Sequence, residues 1–275
     1  MGKENKADMR KYLFICFAST ILLASSVVLT DMVARAEAND FSGNGHVQFE
    51  GKHPKQINDP ERPGKAVDPG ESPSTDQNLR FDFVPKLNFW EATISKEDQT
   101  FYGNAQLFKD DTGPRGNFIQ VSDFRDKSTG WLLQLKQETQ LRDTKDPAKE
   151  LKGAVLSLDH SWTNSLNDPK TSPTVSKEVI RILNVGELYN LAEAKPNNGE
   201  GTWSISFGAS IDNEKQQQDT LQPRLNPEGN VLTDPQFNDQ PIYENKAVSL
   251  FIPGKANAEP GNYQTVLTWI LSELP

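Results

Sequence analysis

The chain has 275 residues and a formal net charge of −9, from 29 Lys and Arg against 38 Asp and Glu. That length suits one large or two small domains. The acidic balance argues against holding nucleic acid or a teichoic-acid-like polyanion by simple attraction, and a single cysteine, Cys16, rules out a disulfide framework.

The first 36 residues read as a signal peptide. Lys3, Lys6, Arg10 and Lys11 make a basic start, Tyr12 to Leu29 an apolar run, and Ala34-Arg35-Ala36 and Ala36-Glu37-Ala38 two small-residue cleavage sites. The alternative is an uncleaved anchor, since the apolar run is near bilayer-spanning length; the two sites just beyond it favour cleavage. Cleavage after Ala36 leaves 24 basic against 35 acidic side chains, a net charge of −11, and no cysteine. Cys16 follows Phe14-Ile15 inside the apolar run, which does not suit lipidation. No second apolar segment and no sorting-type tail follows, so any attachment to the cell is expected to be non-covalent.

Residues 37–78 are rich in Asn, Asp, Gly and Pro, with breakers at Asp59-Pro60, Asp68-Pro69 and Ser72-Pro73. One alternating piece, His46 to Glu50, could form a strand; the rest reads as an extended, mobile linker. From Leu79 the texture changes. Strands are predicted over Leu79–Phe83, Phe118–Asp123, Trp131–Lys136, Ala154–Leu158, Val179–Leu183, Thr202–Phe207 and Ala247–Ile252 from period-two alternation and β-branched content. Glu187 to Ala194 is the one short helix predicted, ended by Lys195-Pro196. Asp212 to Asn245 is a long polar connection. Many short strands with turns between them imply an all-β domain over 79–275, a sandwich or barrel-like arrangement of short antiparallel strands with long loops and little helix.

The final stretch alternates most regularly. Tyr263, Thr265, Leu267, Trp269 and Leu271 share one face of a predicted strand that closes at Pro275, and such a terminal strand is expected to be tied into the sheet. Gly130-Trp131-Leu132-Leu133-Gln134-Leu135 echoes it, with Trp131, Leu133 and Leu135 on one face. Both places spell Trp-x-Leu. Upstream of Trp131 lies Val121-x-Asp123-x-Arg125, whose acidic and basic side chains share a face; their expected role is an ion pair or turn-capping network before Trp131, ahead of direct ligand contact.

The chemistry of other function classes is thin. The histidines His46, His53 and His160 are dispersed, so no metal site is expected. Asp110-Asp111-Thr112-Gly113 and Asp234 to Asp239 carry oxygen ligands without a calcium-loop pattern and read as solvated turns. No nucleophile elbow, P-loop or dinucleotide fingerprint occurs, and no carboxylate spacing singles out a glycosidase pair. No enzymatic activity, catalytic residue or cofactor is expected.

The two Trp-x-Leu motifs, with Gly261-x-Tyr263 and Leu267 before the second and a chain end shortly after it, resemble the WxL-domain family of Gram-positive surface proteins. The resemblance spans the exported part. It implies a mainly β domain, a secreted protein of the cell wall and cell surface, non-covalent association with peptidoglycan, and assembly with a WxL-interacting surface protein. On that resemblance the candidate peptidoglycan-binding residues are Trp131, Leu133, Trp269 and Leu271, supported by Asp123, Arg125, Tyr263 and Leu267. The two indoles are expected to lie close together as one stacking surface. Trp90, Trp162 and Trp203 are assigned to packing or chance exposure. The alternative is an interaction subunit whose Trp-x-Leu strands bind a partner protein rather than glycan.

Overall fold

The computed structural model describes residues 55–91 and 93–275. The expected signal segment and the His46–Glu50 strand lie outside the described residues. Among those described there is no α-helix, only short 3-10 turns such as Pro235–Phe237. In chain order the strands are β1 (Leu79–Phe83), β2 (Gln99–Asn104), β3 (Asn117–Asp123), β4 (Trp131–Gln137), β5 (Arg142–Asp143) and β6 (Val155–Leu158). They continue with β7 (Ser161–Asn164), β8 (Thr174–Val175), β9 (Ile180–Ile182), β10 (Leu188–Ala194), β11 (Gly201–Phe207) and β12 (Leu221–Pro223). The last are β13 (Thr233–Asp234), β14 (Gln240–Pro241), β15 (Tyr243–Ile252), β16 (Tyr263–Gln264) and β17 (Leu267–Glu273).

Three larger sheets carry the architecture, ordered β1-β3-β11-β7, β17-β4-β10-β8 and β12-β15-β6-β9, with β2 also paired to β15. These pairings are antiparallel. None of the three closes on itself, so the fold is sandwich-like and not a barrel. Side-chain alternation explains the layering. On β4, Trp131, Leu133 and Leu135 are buried while Leu132, Gln134 and Lys136 are half-exposed. They meet Ile119 and Val121 of β3 and Trp203, Ile205 and Phe207 of β11 in one core.

Two expectations are corrected. Residues 187–194 are not helical: Leu188–Ala194 is strand β10, paired to β4 from Lys136 to Trp131. The register shifts between Asn190 and Ala192, so Leu191 and Ala192 are both buried although adjacent. That bulge breaks the period-two pattern, and the resulting 188, 191, 192 spacing imitates a helix face. The second correction concerns residues 55–78, expected as a linker. They pack over the outer face of the β1-β3-β11-β7 sheet. Asn58 donates its N–H to Gln120 Oε1 at 2.8 Å, and Gln120 Nε2 donates to the Gln56 carbonyl at 2.7 Å. Ile57 and Val67 pack on a cluster of Phe83, Phe108 and Phe118. Farther along, Asp59 and Glu61 close a buried charge cluster on Arg115, which donates from Nε and Nη2 to the two carboxylate oxygens of Asp59, both at 2.9 Å.

Candidate functional site

The two Trp-x-Leu motifs lie on neighbouring strands. β17 is the outer strand of its sheet and pairs with β4 along its whole length. In that register Leu271 faces Leu133, Trp269 faces Leu135, and Glu273 faces Trp131. Directly opposed residues of an antiparallel pair point to the same side, so both motifs address the same core. Trp131 and Trp269 are offset by four residues, about 13 Å along the strands.

Their environments differ. Trp131 and Leu133 are 0% exposed. The Trp131 indole donates its Nε1–H to the Gly199 carbonyl at 3.2 Å, which satisfies the one polar atom of a buried ring. Trp269 and Leu271 are half-buried at the margin of the core. The two indoles therefore form no joint stacking surface, because the Trp131 ring is enclosed on every side. Trp162 and Trp203 are buried as well and donate to the carbonyls of Gly208 and Glu200. Trp90 is exposed, with the Arg224 guanidinium 5.9 Å from its ring centre.

Asp123 and Arg125 form the network that locks this strand pair. Arg125 grips Asp123 through Nε and Nη2, both at 2.8 Å. The same guanidinium donates to the Gly130 carbonyl at 3.0 Å and pairs with Glu273 at 2.9 Å. One side chain thus ties the end of β3, the turn into Trp131 and the end of β17. The Arg125 cation is stabilised first by its bonds to Asp123 and further by Glu273, against the cost of burial, and its affinity for the proton rises accordingly. Ser128 adds a bond to Asp123 Oδ2 at 3.2 Å, and Thr129 one to Glu273 at 2.9 Å.

Leu267 opens β17 opposite Gln137 and packs against the core. Tyr263 does not join it. The expected single strand over 263–271 is interrupted after Gln264, and Val266 turns out to solvent. Tyr263 belongs to β16, pairs with Asp143 of β5, and packs on a separate cluster with Leu141, Leu151 and Leu250. Sequence reasoning missed Glu273, Ser128 and Gly199. Of these, Gly199 carried a signal, in the run Asn197-Asn198-Gly199.

Among the described residues no group of three or more His, Cys, Asp or Glu side chains is placed to hold a metal ion. In the acidic turns, Asp110 accepts backbone N–H groups from Asp68 and Thr112, and Asp234 one from Gln236.

A family model described as a WxL domain, surface cell wall-binding, matches residues 36–275. The chain belongs to the WxL domain family. No curated protein and no solved structure matches it. The two Trp-x-Leu motifs that the family is named for are the strand pair β4–β17. Membership makes this a cell-wall-binding surface protein, and no described helix is long and apolar enough to cross a membrane.

Proposed function

We propose that this WxL protein is a secreted, non-catalytic component of the cell surface that holds to peptidoglycan without a covalent bond. The observation that supports it is the extent of the match, since one wall-binding domain accounts for residues 36–275. In this reading Trp131 and Leu133 shape the binding domain from inside, while Trp269 and Leu271 on the outer strand reach its surface. Asp123 and Arg125 hold β17 to the rest. Leu267 and Tyr263 anchor the approach to that strand. The test is co-sedimentation of the purified full chain with peptidoglycan sacculi. Saturable sedimentation is expected; a protein that stays in the supernatant at every concentration would refute the proposal.

A specific observation favours a second reading, an interaction subunit that binds a WxL-interacting surface protein. Among the described residues, β17 is paired on one side only, to β4. Val266 accepts from Glu138, and Leu274 donates to Gly130. The backbone groups of residues 267, 269, 271 and 273 therefore point away from β4, because neighbouring residues of a strand alternate sides. Such an edge can accept an added strand. Sedimentation that occurs only with the partner present would select this reading.

A further inference from the structure

The outer face of the β1-β3-β11-β7 sheet holds residues 55–67 in the way a binding site holds a peptide. Its side chains grip the backbone of the segment. Gln120 takes the Asn58 N–H and the Gln56 carbonyl with one amide group. Asn164 Nδ2 donates to the carbonyls of Pro60 and Glu61 at 3.0 and 3.2 Å. Main-chain bonds of this kind hold an extended chain, and side-chain contacts choose its sequence. Here the choice falls on two acids. Asp59 lies on Arg115, while Glu61 lies on Arg115 and accepts from the Ser210 N–H and hydroxyl at 2.7 and 2.5 Å. Pro60 stands between the acids, where it fixes the backbone and has no N–H to leave unpaired. With the segment in place Gln120, Asn164, Arg115 and Ser210 are all buried. The ligand this site selects is Asn-Asp-Pro-Glu in extended form.

The segment is built as a separable piece. Residues 57–67 form a hairpin with bonds of its own, from the Asp59 N–H to the Lys65 carbonyl at 2.8 Å and from the Val67 N–H to the Ile57 carbonyl at 2.9 Å. The chain between this piece and β1 includes Pro73 to Asn78, and all six of these residues are exposed. Six residues can span about 20 Å. Lys55 reaches from the segment to Ser74 and Asp76 on this stretch, in surface contacts of a kind that add little stability.

We propose that the site also receives the same segment from a second copy of the chain, by exchange, so that each chain of a pair lays its Asp59 and Glu61 on the other's Arg115. Every bond between segment and site is made again in the exchanged pair. The two forms then differ only at the hinge and in the entropy of association, which makes exchange a low-cost route to a dimer. A short tether holds the chain's own segment at an effective concentration of about millimolar. Single chains therefore prevail in dilute solution, and exchange sets in where copies are crowded to that density. The inference stands apart from the wall-binding reading and from the added strand on β17.

The test uses the purified full chain and a fluorescent peptide spanning residues 55–72. The parent should bind the peptide weakly, because its own segment competes. Ile57→Ala, whose segment packs less well on the Phe83, Phe108 and Phe118 cluster, should bind it at least about tenfold more tightly. Asp59→Asn weakens the chain's own segment and leaves Arg115 in the site, so it provides a second variant with the same expectation. A peptide carrying Asp59→Asn and Glu61→Gln should bind every chain at least about tenfold less well than the acidic one. The parent is also unfolded in urea and refolded at about 10 μM and at about 1 mM, either side of the crossover set by the tether. Gel filtration with light scattering should show monomer at the lower concentration and dimer at the higher, with the circular dichroism of the monomer. Excess unlabelled peptide in the refolding mixture should suppress the dimer. Peptide that binds neither the parent nor either variant, equal binding of the neutral peptide, or monomer alone at the higher concentration would overturn the inference. So would a dimer that persists in excess peptide, since its interface would lie elsewhere, as at the β17 edge.

Discussion

The tryptophan that names the first motif is held by what its neighbours lack. Gly130, just before it, has φ +90°, and a Cβ there would come within 2.3 Å of the Ala194 carbonyl oxygen. Gly199 has φ +73°, and a Cβ there would meet Trp131 Nε1 at 2.6 Å. Only glycine suits either place, and the second lets the indole reach the Gly199 carbonyl. Trp131→Phe keeps the apolar bulk and removes the N–H, so a buried carbonyl loses its donor. The expected loss is about 1–3 kcal/mol, against about 3–5 kcal/mol for Trp131→Ala, which also opens a cavity; urea unfolding of both variants measures the difference. Glu61 makes a prediction of another kind. Burial raises its pKa above the ordinary 4.5, against the opposing pull of the Ser210 bonds and the Arg115 charge. The folded chain then holds this proton more tightly than the unfolded chain. Its contribution to stability is fully present below 4.5 and is lost as pH rises through the folded value. Glu61→Gln, which cannot ionise, should show a flatter fall in stability above pH 4.5 than the parent. Parallel curves for the two proteins in a pH series of melting temperatures would disprove the coupling.

At the scale of elements, the outer strand β17 completes the sheet on β4, and its end is bolted down by Arg125 and Thr129 through Glu273. Deleting residues 267–275 exposes the β4 edge, removes Leu267, Trp269 and Leu271 from the core margin, and leaves Arg125 with one carboxylate fewer. Aggregation or loss of the native circular dichroism is expected, and native spectra with an unchanged melting temperature would show the strand to be dispensable. Strands such as β4 and β11 were legible because their alternation is clean and their apolar residues are large. The Asp123–Arg125 pair was legible as a turn network because its two members sit two residues apart. β10 was not, because its bulge shifts the apolar phase within one strand. β2 and β7, spelled Gln-Thr-Phe-Tyr-Gly-Asn and Ser-Trp-Thr-Asn, are short and nearly free of branched aliphatic residues, so they carry little local signal. Tyr263 was misplaced because alternation continues through Thr265 and Val266, and a break in pairing leaves the spelling intact. The site at Arg115, Asn164 and Ser210 meets Asp59 and Glu61 across separations of 56 to 149 positions, and no local pattern can announce such a meeting.

For the whole molecule, the sequence alone suggests a domain beginning at Leu79, and the packing argues for an earlier start. Residues 55–78 cover a sheet face whose side chains are buried yet largely polar, with Ser122 and Gln120 both bonded to Asp82 and Gln120 bonded in turn to this segment. The segment also brings both carboxylates to Arg115, and through Glu61 it reaches the loop at Ser210, whose N–H and hydroxyl both donate to it. Stripping it away uncovers Phe118, leaves Gln120 Oε1 without its donor and Gln120 Nε2 with Asp82 alone, and Arg115 keeps no partner from this cluster except Ser210. Removing the counter-charges of a buried cation costs about 3–5 kcal/mol where the cation stays buried, a large share of the stability of an ordinary domain. A fragment beginning at residue 79 should therefore melt well below the full chain or aggregate, whereas one beginning at residue 51 should melt with it. Adding residues 51–78 back as a separate peptide should recover part of the lost stability, since the covering contacts are specific. If the fragment from residue 79 melts at the same temperature as the full chain, the cover is an accessory layer and the folding unit is the smaller one.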